Sequence, residues 1–298
     1  MTPPDISSKA GFVALIGRPN AGKSSLINAM IGDRIALTSR KAGATRKRQL
    51  AIVMYENAQI IFIDTPGLDK RDGKLNEFMR REALSAIENA DLSVFLADMA
   101  DQTRDYENFL AIAGDKKHIV ALTKSDHFNY EQRIKKLAEY QSFSDRFLAI
   151  APISAKKKDF NALLFEIARN LPDHPFYYDP DELTDATMRE IYAEMIREAI
   201  FDSLSDEAPY ACGVEAQSFE EGATLDRISA TIFAEKPSHK AMAIGKNGAT
   251  IKRIGRKARI IMEQFSRKKV FLELKVVLLP NWRKQDSSLA KLGYKGGE

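Results

Sequence analysis

A glycine-rich octapeptide near the N-terminus constrains the fold of this chain more than any other feature. It runs from Gly17 to Ser24 and fits the pattern G-x-x-x-x-G-K-[ST]. An apolar run at 12–16 precedes it, and a helical pattern at 23–31 begins within it. In such a strand–loop–helix unit, backbone N–H groups and the helix N-terminus face an anion. The sequence therefore predicts a loop that holds the phosphates of a nucleoside triphosphate.

The predicted nucleotide contacts of this loop and its helix are Asn20, Ala21, Gly22, Lys23, Ser24 and Ser25. Lys23 is expected to reach the β- and γ-phosphates, and the Ser24 hydroxyl is expected to bind Mg²⁺.

Two further segments predict metal ligands and contacts to the γ-phosphate. Asp64 ends the apolar run 58–63, where its carboxylate can hold Mg²⁺ through water, and the N–H of Gly67 can meet the γ-phosphate. Thr45 lies in a polar segment, and its hydroxyl can join the metal when a γ-phosphate is present. We therefore expect Ser24, Thr45 and Asp64 at the metal, and Lys23, Thr45 and Gly67 in catalysis.

A later pair of segments predicts which base is bound. Thr123, Lys124 and Asp126 follow the apolar run 118–122. The Asp126 carboxylate can accept two N–H bonds from a guanine edge while the Lys124 stem packs on the base, whereas adenine would leave the carboxylate unpaired. The tripeptide Ser154-Ala155-Lys156 would offer a backbone N–H to the guanine carbonyl. The expected ligands are therefore GTP and GDP.

The first 170 residues alternate short apolar runs with helical patterns. Strands are predicted at 12–16, 48–54, 58–63, 92–97, 117–122 and 147–151. Helices are predicted at 23–31, 75–89, 104–113, 130–140 and 160–170. This alternation indicates an α/β fold, a mostly parallel sheet with helices on both faces. The adjacent runs 48–54 and 58–63 predict a hairpin that adds one antiparallel edge strand.

A proline-rich segment predicts a domain boundary. The stretch from Leu171 to Pro180 contains three prolines, which disfavour a helix. We expect a GTP-binding domain at 1–172, a linker at 173–183 and a smaller α+β domain at 184–298. The elements predicted in the smaller domain are a helix over about 184–204, strands at 213–219 and 227–235, helices on either side of Gly245–Gly248, and a strand at 270–278.

Charge is distributed unevenly in the C-terminal part of the chain. Residues 181–235 contain 3 Lys and Arg against 14 Asp and Glu, whereas residues 236–284 contain 14 against 2. A basic block of that density indicates a surface for phosphates, and its acidic neighbour should repel them. The alternative is a solvated basic face that binds nothing.

The basic block contains a G-x-x-G loop between two helical patterns. Such a loop clamps a short stretch of nucleic-acid backbone in KH domains, although a generic helix–turn–helix is the alternative. Ile254 is expected in the apolar groove for bases, His239 on the surface with or without an RNA contact, and Trp282 as a packing anchor for the last strand. The predicted RNA contacts are Lys240, Ile244, Gly245, Lys246, Asn247, Gly248, Ile251, Lys252 and Arg253.

Composition argues against several other classes of protein. No apolar run is long enough to cross a bilayer, and residues 1–10 lack the pattern of a secretory signal. The single cysteine, Cys212, excludes an internal disulfide and fits a reducing compartment. With one cysteine and four histidines, no zinc site is expected. We expect a cytoplasmic protein in which Cys212 is a packing residue.

In this order, the nucleotide motifs resemble those of translation-factor-type GTPases of the Ras-like superfold. With the KH motif and the C-terminal segments Trp282-Arg283 and Leu292-Gly293-Tyr294, nearly the whole chain resembles the Era family of bacterial GTPases. The resemblance implies GTP hydrolysis with Mg²⁺, small-subunit ribosomal RNA and the 30S subunit as partners, and a role in ribosome assembly. It favours RNA and implies no binding to DNA. Peripheral association with the inner membrane is implied by the resemblance alone.

Three positions bear on the mechanism. Thr123 stands where the family usually has Asn, and the shorter side chain cannot make the same amide contacts. Leu68 follows Gly67, where many GTPases carry a Gln that orients water, so positioning and charge neutralisation must carry the chemistry. Asn20 stands where related GTPases can coordinate K⁺ beside the phosphates, which makes K⁺ a second candidate cofactor.

Two other functions stay open at this point. One is an RNA-binding scaffold in which the nucleotide is structural and turnover is incidental. The other is a P-loop kinase or ATPase, which predicts a preference for ATP. The motif from Thr123 to Asp126 argues against ATP, and Thr45 in its loop argues for a switch controlled by the nucleotide.

Overall fold

Two separate β-sheets organise the part of this chain that the structure describes. The computed structural model describes residues 8–32, 45–67 and 73–294. Within that part, a first unit holds residues 8–32, 45–67 and 79–185, and a second holds 73–78 and 186–294. No described helix is long and apolar enough to span a membrane.

The sheet of the first unit has six strands in the order β2-β3-β1-β4-β5-β6. Their bounds are β1 (Lys9–Gly17), β2 (Gln49–Tyr55), β3 (Ala58–Asp64), β4 (Leu92–Asp98), β5 (His118–Thr123) and β6 (Ala149–Pro152). All neighbouring pairs are parallel except β2 and β3, whose antiparallel register joins Gln49 to Asp64 and Tyr55 to Ala58. The predicted hairpin at the sheet edge is therefore confirmed.

Helices cover both faces of this sheet, since every residue of β3 and of β5 is buried. They are α1 (Lys23–Ile31), α2 (Lys74–Asn89), α3 (Arg104–Ala113), α4 (Tyr130–Glu139) and α5 (Asn161–Asn170), all within one residue of the predicted bounds. Helix α4 begins where it does because Asn129 and Gln132 form a reciprocal capping box.

The predicted linker packs on the first unit, which extends to Asp185. The buried side chain of Gln59 accepts hydrogen bonds from the N–H groups of Tyr177 and Tyr178 (2.8 and 3.0 Å) and donates to the carbonyl of Tyr178 (2.9 Å). The carbonyl of Leu183 accepts from Ile52 of the edge strand. Prolines do prevent a helix here, but tertiary hydrogen bonds hold the extended segment in place.

The second unit has the order helix–strand–strand–helix–helix–strand that the sequence predicts. Strand β8 pairs antiparallel with β7 and parallel with β9. Helix α6 is shorter than the predicted 184–204, because a capping box of Thr187 and Glu190 starts it. The elements are α6 (Met188–Phe201), β7 (Cys212–Glu220), β8 (Leu225–Ala234), α7 (Pro237–Ile244), α8 (Ala249–Ser266), β9 (Lys269–Leu278) and α9 (Asp286–Lys291).

The core of the second unit corrects two expectations. Ile254 is fully buried between α8 and the sheet, so it contributes to the core and offers no surface to a base. His239, expected on the surface, is only 3% exposed. Cys212 and Trp282 are buried as predicted, and the indole Nε1 of Trp282 donates to the carbonyl of Ala211 (3.0 Å).

Candidate nucleotide-binding and RNA-binding sites

The predicted nucleotide residues lie at one edge of the six-stranded sheet. Gly17, Asp64 and Thr123 are the last residues of β1, β3 and β5, which are parallel to one another. Because carboxyl ends of parallel strands meet at the same edge, these motifs converge although they are far apart in sequence. This edge is where open α/β sheets bind their ligands.

The backbone of the phosphate loop requires its glycines. A Cβ on Gly17 would lie 2.4 Å from the carbonyl oxygen of Leu96, and Gly22 has a φ of 100° at the N-terminus of α1. Asn20 also adopts a left-handed conformation, with a φ of 66°. Asn20 and Ser25 are exposed, whereas Ala21 is buried. The loop therefore curls at the start of α1, as an anion-binding loop does.

Lys23 is enclosed by the loop that it belongs to. Its Nζ donates to the carbonyls of Gly17 (2.9 Å) and Arg18 (3.1 Å). Burial lowers the pKa of Lys23 to about 8, although the carboxylate of Asp64 acts in the opposite direction. An anion bound in the loop would stabilise the protonated amine and raise this pKa.

The three predicted metal ligands lie together. The hydroxyl of Ser24 donates to Asp64 Oδ2 (2.8 Å), and Thr45 Oγ1 lies 3.1 Å from Ser24 Oγ. Because Ser24 has only one hydroxyl proton, Thr45 is the donor in the second contact. Mg²⁺ prefers oxygen ligands of this kind, so the residues present fit this metal. Among the described residues, no group of three or more His, Cys, Asp or Glu side chains forms an alternative metal site.

Gly67 approaches the phosphate loop closely. A Cβ at this position would lie 2.7 Å from the backbone N of Pro19, so only glycine allows the contact. The hydroxyl of Thr65 donates to the carbonyl of Leu15 (2.7 Å), which holds the turn after β3. Leu68 stands where many GTPases carry a Gln that orients the attacking water, and it lies outside the described residues.

At the opposite end of the site, Asp126 and Ser154 are paired. Ser154 Oγ donates to Asp126 Oδ1 (2.7 Å), and this hydrogen bond lowers the pKa of Asp126 below its usual value. The same Ser154 oxygen accepts from the N–H of Lys157 (3.2 Å). Ala155 is half-buried and Lys156 exposed, both in the turn beside this pair. An ionised carboxylate is what recognition of the two guanine N–H groups requires.

Thr123 has a role that the sequence did not reveal. Its hydroxyl lies 2.8 Å from the carbonyl oxygen of Ala21 and 3.2 Å from that of Ala97. The expected loss of amide contacts is therefore accompanied by a direct hydrogen bond to the phosphate loop. Next to it, Lys124 Nζ lies 2.5 Å from Asp98 Oδ2.

Sequence reasoning also missed the ion pairs of Arg18. Its guanidinium lies 3.2 Å from a carboxylate oxygen of Asp101 and 3.2 Å from one of Asp105, at the start of α3. These contacts attach the phosphate loop to the segment after β4. No signal in the sequence pointed to them, since neither aspartate belongs to a nucleotide motif.

The G-x-x-G loop of the second unit also depends on its glycines. Gly245 has a φ of 74°, and a Cβ there would lie 2.3 Å from Thr250 Oγ1. Asn247 and Gly248 are left-handed as well, with φ of 52° and 75°. Lys246 and Asn247 are exposed. The turn therefore presents a cation and backbone polar groups to solvent between α7 and α8.

The remaining predicted RNA contacts differ in their surroundings. Ile244, Ile251 and Lys240 are half-buried beside the loop, and Lys252 is exposed. Arg253 differs, because Nη2 of its guanidinium donates to the carbonyl of Ser203 (2.8 Å) just after α6. This side chain is engaged within the protein, which its position in the basic block did not predict.

Comparisons with known proteins agree with this geometry. A family model described as a 50S ribosome-binding GTPase matches residues 12–124, and one described as a KH domain matches residues 207–283. GTPase Era of Helicobacter pylori is 46% identical over 295 residues, which cover 97% of this chain and 98% of that protein. This chain belongs to the Era family of GTPases.

Other Era proteins are similar over almost their whole length. GTPase Era of Campylobacter jejuni is 45% identical over 285 residues, covering 95% of this chain and 98% of that protein. Solved structures of Aquifex aeolicus Era bound to GDP and AlF4⁻, and of Era with MgGDPNP and nucleotides 1506–1542 of 16S ribosomal RNA, each match with a TM-score of 0.91. Both are 31% identical, and each match covers 96% of this chain and 99% of the other. The predicted family, the P-loop GTPase fold and the KH domain are therefore confirmed.

Proposed function

We propose that this chain uses Mg²⁺ to hydrolyse GTP and that its nucleotide state controls binding to small-subunit ribosomal RNA during assembly of the 30S subunit. The proposal of GTP hydrolysis rests on one observation, the cluster of Ser24, Thr45 and Asp64 beside the buried Lys23. Its members come from α1, β3 and the segment before β2, so folding brings together residues that are far apart in the sequence.

Each side chain has a role in the proposed reaction. When bound, Mg²⁺ supplies positive charge to the β- and γ-phosphates, and Ser24, Thr45 and Asp64 hold it. Lys23 exchanges its two carbonyl partners for phosphate oxygens, and the N–H of Gly67 donates to the γ-phosphate. Because no side chain in the described site is placed as a general base, catalysis rests on positioning and charge neutralisation.

Specificity for guanine is proposed to rest on Asp126. Ser154 orients the carboxylate and keeps it ionised, so that it can accept the two N–H bonds of guanine. The Lys124 stem and the turn at Ala155 and Lys156 complete the base pocket. Adenine has an acceptor at N1 and no amino group at C2, so ATP would leave the carboxylate without its two N–H partners, which disfavours a kinase or ATPase.

Binding of RNA is proposed for the second unit. An Era protein has been solved with a fragment of 16S ribosomal RNA, and this chain has the same overall fold. The G-x-x-G loop with the exposed Lys246 and Asn247 is the surface proposed to hold the RNA backbone. Association with a membrane surface, which rests only on resemblance to the family, stays a prediction.

Potassium is proposed as an additional cofactor. Asn20 is an exposed residue of the phosphate loop and adopts a left-handed conformation, and its side-chain carbonyl is the oxygen proposed to bind the ion. A monovalent cation there would neutralise charge that develops between the β- and γ-phosphates, as an arginine finger does in other GTPases.

One experiment tests the proposed function and its main alternative. Release of phosphate from GTP and from ATP is measured with Mg²⁺ and with a chelator, and RNA affinity is measured with a GTP analogue, with GDP and without nucleotide. We expect Mg²⁺-dependent release from GTP only, and RNA affinities that differ between nucleotide states. RNA affinity that is equal in all three states would indicate a scaffold with a structural nucleotide.

A further inference from the structure

Gln59 is a buried polar residue near the start of β3. Its side chain is 0% exposed, and burial of an amide costs free energy unless its groups are hydrogen-bonded. Its oxygen accepts from the N–H groups of Tyr177 and Tyr178, and its nitrogen donates to the carbonyl of Tyr178. These partners belong to the connecting segment, residues 171–185, which lies between α5 and the second unit. Gln59 therefore attaches the connecting segment to β3.

The connecting segment has a second attachment, on strand β2. The N–H of Ile52 donates to the carbonyl of Leu183 (2.9 Å), and the hydroxyl of Thr184 donates to the carbonyl of Leu50 (2.7 Å). Strand β2 is the last strand on its side of the sheet, so these bonds lie along the sheet edge. Because Asp185 ends the first unit, this attachment lies immediately before the second unit in the sequence.

Strands β2 and β3 connect both attachments to the predicted metal ligands. Asp64 ends β3 and is paired with Gln49 at the start of β2. Thr45 precedes Gln49 by four residues, and its hydroxyl oxygen lies 3.1 Å from that of Ser24. Arg46, which follows Thr45, is only 2% exposed, so this connection is packed within the first unit. A shift of Thr45 would therefore reach β2 through a short, packed segment.

The two attachments lie at different distances from the metal ligands. Leu50, which accepts from Thr184, is paired with Ile63, the neighbour of Asp64. Gln59 lies five residues from Asp64, which corresponds to about 17 Å along the strand. The attachment at Leu50 is thus next to the metal ligands, whereas the one at Gln59 is at the far end of the hairpin.

We propose that the hydrogen bonds of Leu183 and Thr184 to β2 transmit the state of the metal site to the connecting segment, while Gln59 anchors that segment to β3. With Thr45 at the metal, β2 holds the segment close to the second unit. When Thr45 leaves the metal, these bonds loosen and the anchor at Gln59 remains. The inference rests on the proposed control of RNA binding by the nucleotide, and it names the contacts through which that control acts.

The first test needs no RNA. Amide hydrogen exchange of the full chain is followed by NMR with Mg²⁺ and either GDPNP or GDP. Leu183 protects the amide of Ile52, and Gln59 protects those of Tyr177 and Tyr178. We expect the Ile52 amide to exchange about fivefold faster with GDP, and the two tyrosine amides to exchange equally with both nucleotides. Equal exchange of Ile52 with both nucleotides would overturn the proposal.

The second test uses Thr184→Val, which removes the donor with little change in volume. Affinity for nucleotides 1506–1542 of 16S ribosomal RNA, the fragment in the related Era structure, is measured with GDPNP and with GDP. The ratio of the two affinities should move about fivefold towards one, because one side-chain hydrogen bond is lost. GTP hydrolysis without RNA should be unchanged, and Thr184→Ser should keep the wild-type ratio.

Ser8→Ala is the matched control. The Ser8 hydroxyl also donates to the connecting segment, at the carbonyl of His174 (3.2 Å), but Ser8 precedes β1 and is not part of the hairpin. The variant removes a hydrogen bond of the same type, and the ratio of RNA affinities should keep its wild-type value. Equal changes in Ser8→Ala and Thr184→Val would indicate a general effect of attachment and overturn the specific role of β2.

The results separate this inference from the function on which it rests. An unchanged ratio in Thr184→Val, with RNA binding of the wild-type protein still dependent on the nucleotide, would overturn the role of β2 alone. Equal RNA affinity of the wild-type protein with GDPNP and with GDP would instead overturn the proposed control of RNA binding by the nucleotide.

Discussion

The hydroxyl of Thr123 lies 2.8 Å from the carbonyl oxygen of Ala21, so the base-recognition motif is hydrogen-bonded to the phosphate loop. The same hydroxyl lies 3.2 Å from the carbonyl of Ala97, at the end of the neighbouring strand. A single buried side chain thus connects the phosphate end and the base end of the predicted nucleotide site. In this chain a threonine makes the connection where relatives of the family are expected to use asparagine.

Thr123→Val should weaken nucleotide binding, because it removes the hydroxyl with little change in volume. The carbonyls of Ala21 and Ala97 would lose a buried donor, which typically costs ~1–3 kcal/mol. We expect GDP to bind about tenfold more weakly, which corresponds to ~1.4 kcal/mol. Titration with a fluorescent guanine nucleotide measures this change. Thr123→Ser keeps the hydroxyl and is the control; unchanged affinity in the valine variant would show that the contact is dispensable.

Asp126→Asn should change which base is bound. The carboxylate accepts from Ser154 and is ionised at neutral pH, so the substitution replaces an acceptor with a donor on the side facing the base. We expect weaker binding of GTP and stronger binding of xanthosine triphosphate, whose edge presents the complementary pattern. Competition of both nucleotides against labelled GDP measures the exchange, and GTP affinity equal to that of the wild-type protein would remove Asp126 from the site.

Stability of the nucleotide-free protein should depend on Lys23 at alkaline pH. Burial lowers the pKa of Lys23 from 10.5 to about 8, so between these values the unfolded chain binds more protons than the folded one. Stability therefore rises with pH in this window, by at most ~1.4 kcal/mol per pH unit from this group.

Lys23→Met should remove this dependence. Urea unfolding between about pH 7.5 and 9.5 should show the variant more stable than the wild-type protein at the lower pH, with the difference shrinking as pH rises. The variant should also lose GTP hydrolysis, since the charge aimed at the phosphates is gone. Parallel pH profiles for the two proteins would contradict the buried, charged state of Lys23.

Lys246→Asp/Asn247→Asp should strongly weaken binding of small-subunit ribosomal RNA. Both residues are exposed in the G-x-x-G loop, where two carboxylates would repel the RNA backbone. Gel-shift or anisotropy titrations measure the loss, and circular dichroism checks that the second unit stays folded. Normal RNA binding by this variant would mean that the loop is not the RNA contact.

Hydrolysis of GTP should run faster in potassium than in sodium at the same ionic strength. Asn20→Ala should abolish the difference, because it removes the carbonyl proposed to bind the ion. Turnover of the wild-type protein and the variant is measured in both salts. Equal rates of the wild-type protein in the two salts would exclude potassium activation and point to RNA or a protein partner as the activator.

Local sequence was sufficient for the elements and the motifs. Strands and helices are encoded by short apolar runs, helical periodicity and capping residues such as Asn129, which act over a few neighbouring positions. The order of the motifs likewise implied that Gly17, Asp64 and Thr123 meet, because parallel strands end at one edge. The ends of the elements were predicted less accurately. Helix α6 is an example, since its first residue depends on the Thr187 cap.

The sequence by itself determined the family and the two folds, because these follow from motifs of fixed spacing and from hydrophobic periodicity, and it predicted the residues around the nucleotide. Only the tertiary structure decided that Thr123 reaches Ala21, that His239 is buried and that Arg253 binds the end of α6. The physical reason is distance along the chain. Each of these contacts joins groups that are distant in sequence and are brought close by folding. A local sequence pattern does not specify which distant residue a side chain will contact.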